Sequence, residues 1–449
     1  MLISGCSKLP PPNDEFITCT ILNRIDSEVE WRQGACQNEQ VNCFINCAIT
    51  SELTADRAIQ ISLLNNPKIQ AIFEQLGMAR ADLIEAGLLS NPSFEIEIRY
   101  PHIKCLKTNI EYLLTSALLD IFLIPLRTRL ASIEYEQVKL KVSNEILNLA
   151  FDVRKTYYEI VSEKIKINTM ETIVEITSII NEIASKQVAV GNINALEFQL
   201  SQARLAEAEL ELSSAQAEVI HLSEKLHALL GFTEDICFIL PNDLPEIEWY
   251  DFDLCALENI AFQERLDLQI ARVKIAHFSQ MLGLKDWWTY TQFKGGVAGE
   301  KDSDGIYLIG PGFSGEVPIF NYGQAARMRL YAQLRQAKAE FEELEIQVLS
   351  EVRKSQKLLI SYIKIIKDYQ EHLLPMKGSI SALSEKFYHN MGLGVDKLLE
   401  HKLQEWITAK NYAESLKKYY VSRVQLDRSL GGYLFKYFAT RDCPQGVSQ

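Results

Sequence analysis

The most constraining feature of this 449-residue sequence is a helical pattern that runs through residues 121–190 and is interrupted only by Pro125, near its start. At 1.5 Å per residue, roughly seventy residues form a helix of about 100 Å, far longer than helices of globular domains. Because such a rod needs long partners, the sequence predicts an elongated helical architecture.

A heptad repeat between residues 199 and 229 predicts the first of these partners. Two interleaved apolar series recur every seven positions: Leu205, Leu212, Val219 and Leu226, and Ala208, Ala215, Leu222 and Leu229. Two series with this spacing form the seam of a coiled coil. The heptad helix is about half as long as the helix before it, so we expect it to fold back as the return arm of a hairpin on residues 121–190.

Ahead of the long helix, the periodicity changes from 3.6 to 2. Residues 94–100 place Phe, Ile, Ile and Tyr on one face of a strand, and Glu95, Glu97 and Arg99 on the other. Residues 108–118 alternate in the same way. A half-buried hairpin on a soluble core would show this pattern too, but long helices flank the pair and offer no sheet for it to join.

The same plan occurs twice in the chain. Placing residue 252 on residue 53 aligns the halves at an offset of 199, and each half contains a helix, two strands, a long helix, a turn and a return helix. In the second half, the first helix is expected over residues 252–283 and the long helix over residues 322–389. Pro67 is expected to break or kink the first helix. The predicted divisions are residues 1–52, a lipoprotein-like N-terminal arm that is irregular over residues 7–50; 53–231, the first repeat; 232–251, a linker; 252–432, the second repeat; and 433–449, a tail.

Composition excludes several functional classes. The formal charge of −13 and the lack of a Lys/Arg cluster argue against nucleic acid. No stretch of about eighteen apolar residues predicts a transmembrane helix, so a membrane role would depend on the strands. Seven scattered histidines, and the absence of metalloprotease, phosphate-loop and nucleophile-elbow motifs, argue against an enzyme, so we expect no catalytic residues, metal or cofactor.

The cysteines allow more than one interpretation. Residues 2–6, Leu-Ile-Ser-Gly-Cys, are similar to the lipobox of bacterial lipoproteins, in which Cys6 would carry the lipid. Five preceding residues are too few for a signal peptide, so either the true start lies upstream or Cys6 is an ordinary cysteine. Cys36, Cys43 and Cys47 lack paired metal-site spacing and are most simply small apolar residues, with a disulfide within residues 19–47 as the alternative.

The number of predicted strands indicates how many chains a membrane barrel would need. Four amphipathic strands per chain cannot close a transmembrane barrel, and open edges are not tolerated in lipid. Three chains would supply twelve strands, with apolar faces toward lipid. The charged faces, with Glu95, Glu97 and Arg99, would then line a wet lumen.

Several short motifs strengthen this interpretation. Val-Pro-Ile-Phe-Asn-Tyr-Gly at 317–323, Leu374-Pro375 and Tyr388-x3-Gly392, in the context of the duplication, resemble the TolC-like outer-membrane efflux proteins. The resemblance covers residues 53–432, and with Cys6 it extends to the lipoprotein branch that serves resistance-nodulation-division pumps. It implies a mainly α fold with a small β part: a long α-helical coiled-coil barrel, and four strands per chain contributing to a trimeric 12-stranded β-barrel.

The resemblance also implies a location and partners. Such a chain is a lipid-anchored homotrimer in the bacterial outer membrane that extends into the periplasm, as a passive exit duct for efflux or type I secretion. Its periplasmic tip docks on an adaptor protein and an inner-membrane pump. The alternative is a soluble periplasmic coiled-coil scaffold or adaptor, which explains the heptads and the acidic charge but not the duplicated strand pairs.

By the same resemblance, an acidic ring follows the second turn and narrows the periplasmic entrance. Asp396 and Glu400 are four residues apart on one helical face, so three copies would concentrate negative potential and select against anions. Alternatively, both are solvated carboxylates, with Asp396 acting as a helix cap. Gly191, Gly392 and Gly394 are the expected turn residues that accommodate opening.

Overall fold

The computed structural model describes residues 15–31, 51–100, 102, 107–117, 120–234, 236, 238–245, 247, 253–288, 294–315, 319–320 and 322–434. These residues form two compact units. The sheet unit contains Ile72–Val142 and Leu266–Glu345. The helical unit contains Asn13–Ala71, Ser143–Arg265 and Ile346–Gln449. Cys6, Cys36, Cys43 and Cys47 lie outside the described residues.

The order of elements repeats. A helix α1 (Glu15–Ile25) comes first. The first series is α2 (Ala55–Asn65), α3 (Pro67–Ala86), β1 (Ser93–Arg99), β2 (Asn109–Ser116), α4 (Asp120–Ala189) and α5 (Ala195–Leu230). The second is α6 (Leu254–Glu264), α7 (Leu266–Trp288), β3 (Lys294–Lys301), β4 (Tyr307–Ser314), α8 (Gln324–Asp368), a π-helical turn (Tyr369–Leu373), α9 (Leu374–His389) and α10 (Val395–Ser429).

In the sheet unit, the four strands form one antiparallel sheet in the order β1-β2-β3-β4. Ile96 of β1 pairs with Tyr112, which in turn pairs with Gly299 of β3. Since paired residues share a face, the predicted alternation of apolar and charged residues extends across the strands. No described helix combines the length and the apolar character needed to cross a membrane.

In the helical unit, the heptad helix packs as predicted on its own chain. Ala208, Ala215 and Leu222 are buried. Ala208 joins a core with Ile173 and Ile176 of α4. The same core includes Leu403 of α10, so α5 packs against two helices.

The N-terminal residues differ from the prediction of an irregular arm. Residues 15–25 are a helix, with Ile17 and Ile21 fully buried in the helical unit. An isolated helix of this length is marginal in water and depends on packing of its apolar face, which local periodicity does not reveal.

The predicted break at Pro67 is confirmed: α2 ends at Asn65 and Asn66 adopts an extended conformation. A matching break at Arg265 separates α6 from α7, where the sequence predicts one helix over residues 252–283. Leu266 occupies the position of Pro67, so this second break occurs without a proline.

The second long helix is also interrupted, in contrast to the continuous helix expected for residues 322–389. The five residues Tyr369–Leu373 are π-helical, and the Leu374 N–H donates to the Tyr369 carbonyl. Pro375 follows at once and has no N–H to donate, which favours a local change of hydrogen-bond pattern.

Candidate functional site

The first candidate site is the polar face of the sheet. Glu95, Glu97 and Arg99 lie on this face of β1, as the alternation predicts. The Arg99 guanidinium donates to both carboxylate oxygens of Glu97 at 3.0 Å and to Glu111 of β2 at 2.6 Å. The predicted residues are therefore brought together, and their charges are partly paired within one chain.

Two further carboxylates share this face through the strand register. Glu97 pairs with Glu111, and Glu111 pairs with Glu300 of β3. Asn109 donates from its side chain to Glu300 at 2.7 Å. A depression of about 440 Å³ is lined by all four glutamates. Sequence reasoning did not assign Glu111 or Glu300 to the lumen because that requires the pairing of β1, β2 and β3.

The opposite face of the sheet is apolar and exposed. Its exposed side chains are Phe94, Ile96, Ile98, Leu114, Val297, Tyr307, Ile309 and Phe313. Tyr112 lies over Gly299, where an added Cβ would be 2.2 Å from the tyrosine ring, so a side chain at residue 299 would have to displace that ring. A continuous exposed apolar face of this kind marks an interaction surface for lipid or protein.

The second candidate site consists of the two tip turns, residues 190–194 and 390–394, in the helical unit. Gly191 has a positive φ of 76°, and Met391, 200 residues later, has a φ of 56°. The hydrogen bonds also correspond: Asn192 N–H donates to the Gln187 carbonyl, and Gly392 N–H to the Phe387 carbonyl. The turns therefore match residue for residue, and Met391, not Gly392, takes the left-handed position.

Helix initiation differs between the two turns. Asn194 caps α5 by accepting from the Glu197 N–H at 2.9 Å. Gly394 is the N-cap of α10 and has no side chain to do the same. Asp396 is the second residue of α10, so it is not the N-cap, although its charge is favourable in the first turn.

Asp396 and Glu400 have different surroundings. Asp396 is exposed and accepts from Gln187 of α4 at 3.3 Å. Glu400 is bonded by Lys397 at 2.9 Å, and this hydrogen bond holds the pKa of its carboxyl below the ordinary value. Among the described residues, Lys397 thus forms its ion pair with Glu400 and not with the neighbouring Asp396.

Within the described residues, no cluster of three or more His, Cys, Asp or Glu residues is arranged to hold a metal ion. Cys19 and Cys255 are exposed free thiols.

Comparison with known proteins gives structural matches alone. No family model matches the sequence, and no curated protein sequence matches it significantly. The outer membrane channel CmeC of Campylobacter jejuni superposes with a TM-score of 0.68 at 14% identity, over 84% of this chain and 85% of that one. The outer-membrane channel OprN gives 0.67 at 16% identity, over 90% and 94%.

The MtrE outer membrane channel of Neisseria gonorrhoeae, in its open state, gives a TM-score of 0.64 at 14% identity, over 84% of this chain and 89% of that one. This chain has the fold of the TolC-like outer-membrane channels. The predicted fold class, mainly α with a small β part, is thereby confirmed.

Proposed function

We propose that this chain is the outer-membrane channel of a tripartite efflux or type I secretion system, acting as a passive homotrimeric duct. The sheet is the observation that carries the proposal. It has four strands, one exposed apolar face and one face with four glutamates and an arginine. On a soluble coiled-coil scaffold, such an apolar face would be exposed to water without a function.

Closure of the sheet explains the trimer. Strands β1 and β4 are the two edges, and a four-stranded sheet with free edges is unsuitable for lipid. Three copies supply twelve strands, enough for a closed transmembrane barrel. The apolar face then contacts outer-membrane lipid, and Glu95, Glu97, Arg99, Glu111 and Glu300 line the lumen.

The tip turns form the periplasmic entrance in this proposal. Three copies of Asp396 surround the axis and favour cations, while each Glu400 contributes less because of Lys397. Opening moves α9 and α10 about the turn that contains Met391, Gly392 and Gly394, with Gly191 as the corresponding residue of the first turn. The tip docks on a periplasmic adaptor and through it on an inner-membrane pump, and Cys6 carries the lipid anchor.

The decisive experiment measures mass and conductance on one preparation. The detergent-solubilised protein is expected to have a trimeric mass and to form cation-preferring pores in a planar lipid bilayer. Asp396→Asn should reduce the cation preference strongly, and Glu400→Gln only weakly. Glu207→Gln with Glu209→Gln, which removes two exposed carboxylates from α5, is the matched control.

A monomeric mass, or bilayers without pores, would overturn the channel proposal. If wild type and Asp396→Asn form pores with the same ion preference, the proposed acidic entrance is contradicted, whereas the channel proposal still stands.

A further inference from the structure

A short basic motif occurs twice in the sheet unit. The sequence Arg-x-Arg-Leu is found at residues 127–130 and again at 327–330, an offset of 200. Both copies lie within the first helical turns after the sheet, in α4 and α8. Leu130 and Leu330 are buried, whereas Arg129 and Arg329 are exposed. The two halves therefore present a basic group at equivalent positions.

Charge is unusually distributed around both motifs. The chain has a formal charge of −13. Residues 121–133 nevertheless contain Arg127 and Arg129 with no acidic residue, and residues 319–339 contain Arg327, Arg329, Arg335 and Lys338 with none. Among the described residues, no carboxylate forms an ion pair with Arg129 or Arg329. These stretches are thus suited to an anionic partner.

An exposed apolar band adjoins the motifs. It is formed where the helices meet the strands, and its exposed side chains are Leu88, Leu89, Ile121, Phe122, Ile319, Phe320 and Tyr322. The starts of β1 and β3 and the ends of β2 and β4 lie at one end of the antiparallel sheet, so the four connections share that end. Arg129 follows Phe122 by seven residues, about 10 Å along a helix.

A hydrogen bond fixes one arginine at the edge of this band. Arg127 donates from its guanidinium to the Leu88 carbonyl at 3.3 Å. Leu88 and Leu89 are themselves exposed members of the band. A cation held beside apolar side chains is the arrangement found where a membrane protein passes from acyl chains to headgroups.

From these observations we propose that the two Arg-x-Arg-Leu motifs bind the phosphate of anionic phospholipid headgroups, in the leaflet on the helical side of the sheet. The inference rests on the proposed channel function, since it requires the apolar face in lipid. Arginine suits the task because its planar guanidinium can donate two hydrogen bonds to one phosphate. A trimer would carry six motifs around its circumference.

The test uses the full-length protein purified in a neutral detergent. Native mass spectrometry counts retained lipids during titration with dioleoyl phosphatidylglycerol, and separately with the zwitterionic dioleoyl phosphatidylcholine. The variant is Arg129→Gln with Arg329→Gln. The control is Lys354→Gln with Lys357→Gln, which removes two exposed cations from α8 outside the basic stretch 319–339.

Wild type and control are expected to retain phosphatidylglycerol in preference to phosphatidylcholine. The double arginine variant should lose roughly fivefold in affinity per arginine removed. Inorganic phosphate at millimolar concentration should not displace the lipid. Displacement by phosphate would show a simple anion site and overturn the lipid assignment.

Equal retention of both lipids by wild type, or unchanged retention by the double variant, would also overturn the lipid assignment. If the double variant does not assemble, Arg129→Gln and Arg329→Gln are measured singly. Unchanged phosphatidylglycerol retention in both single variants would then overturn the assignment. Trimer mass and conductance are measured on the same preparations to test the channel proposal independently. A trimer that conducts but shows no lipid preference would contradict the lipid-binding inference and leave the channel proposal standing.

Discussion

The Arg24 guanidinium donates to the Gly431 carbonyl at 2.7 Å and to the Glu264 carbonyl at 2.9 Å. One buried side chain from α1 thus bonds the ends of two helices in the second half of the chain, α10 and α6. The guanidinium also lies 4.9 Å from the centre of the Tyr433 ring. The N-terminal helix is therefore part of the helical unit and stabilises its second half.

The first half satisfies the equivalent carbonyls by itself. Asn65 donates to the Leu230 and Gly231 carbonyls at 3.0 Å, and Asn66 donates to Leu229 at 2.8 Å. In the second half, the break between α6 and α7 lies beside Gly431 and has Glu264 and Arg265 in place of the two asparagines. The Arg265 side chain bonds Glu351. Arg24, which lies outside the repeat, thus donates a hydrogen bond to the end of α10, whereas Asn65 and Asn66, which lie within the first repeat, donate to the end of α5.

Replacement of this arginine should be costly. Arg24→Met keeps much of the apolar stem but leaves the Gly431 and Glu264 carbonyls without their donor. We expect a loss of about 3 kcal/mol, since hydrogen bonds from a charged donor contribute about 1.5–3 kcal/mol each and some bonding is recovered by relaxation. Thermal unfolding in detergent measures it, with Arg335→Met, at an exposed position of α8, as the control. Equal melting temperatures for the two variants would contradict the role.

Loss of the corresponding hydrogen bonds in the first half should reduce stability less. Asn65→Ala removes two neutral hydrogen bonds to the end of α5, for which we expect about 1–2 kcal/mol. The same unfolding experiment applies, and Asn168→Ala on α4 is a control for loss of an asparagine from a helix. A loss larger than that of Arg24→Met would show that the two closures are not equivalent.

Some elements of the fold follow from local sequence patterns, whereas others depend on nonlocal contacts. The length of α4, the break at Pro67 and the alternation of β1 follow from periodicity and proline, so the sequence predicts them. The helix α1, the break at Arg265 and the place of Glu300 on the polar face of the sheet depend on contacts between distant segments. The sequence does not predict the conformation of Met391 for another reason: glycine is the residue expected to take a positive φ, and this turn has glycine at 392 and 394, but the structure gives the positive φ to residue 391.

The conformation of Met391 should be strained. A residue with a side chain in the left-handed region costs about 1–2 kcal/mol, and glycine avoids most of this cost. The Met391 side chain is almost fully exposed, so its removal loses little packing. We therefore expect Met391→Gly to stabilise the helical unit by up to about 1 kcal/mol, measured by thermal unfolding.

The reciprocal change tests the match between the turns. Gly191→Ala introduces a side chain where φ is 76°, and should destabilise by about 1 kcal/mol although an added Cβ has no atom within 4 Å. Gly392→Ala, at a position without positive φ, should be nearly neutral. If Gly392→Ala were the more damaging of the two, the turns would not correspond as described.

A buried carboxylate between α4 and α10 predicts a pH dependence. Burial disfavours ionisation of Glu163, but hydrogen bonds from Lys166 at 2.7 Å and Lys417 at 2.9 Å outweigh it and hold the pKa of the carboxyl below its ordinary value. Its side chain is 3% exposed. A carboxyl whose pKa is lower in the folded state contributes stability above its unfolded pKa of about 4.3, and this is lost as the pH falls through the folded pKa.

Glu163→Gln should therefore lower the melting temperature at pH 7, with a loss of about 1–2 kcal/mol, because Lys166 and Lys417 remain partly solvated and can turn to water. As the pH falls below about 4, the wild type should lose this contribution and the two melting temperatures should converge. Glu182→Gln, which removes an exposed carboxylate paired with Lys186, should change little at either pH. A difference between wild type and Glu163→Gln that persists unchanged at pH 3 would show that packing of the side chain, not its charge, joins α4 to α10.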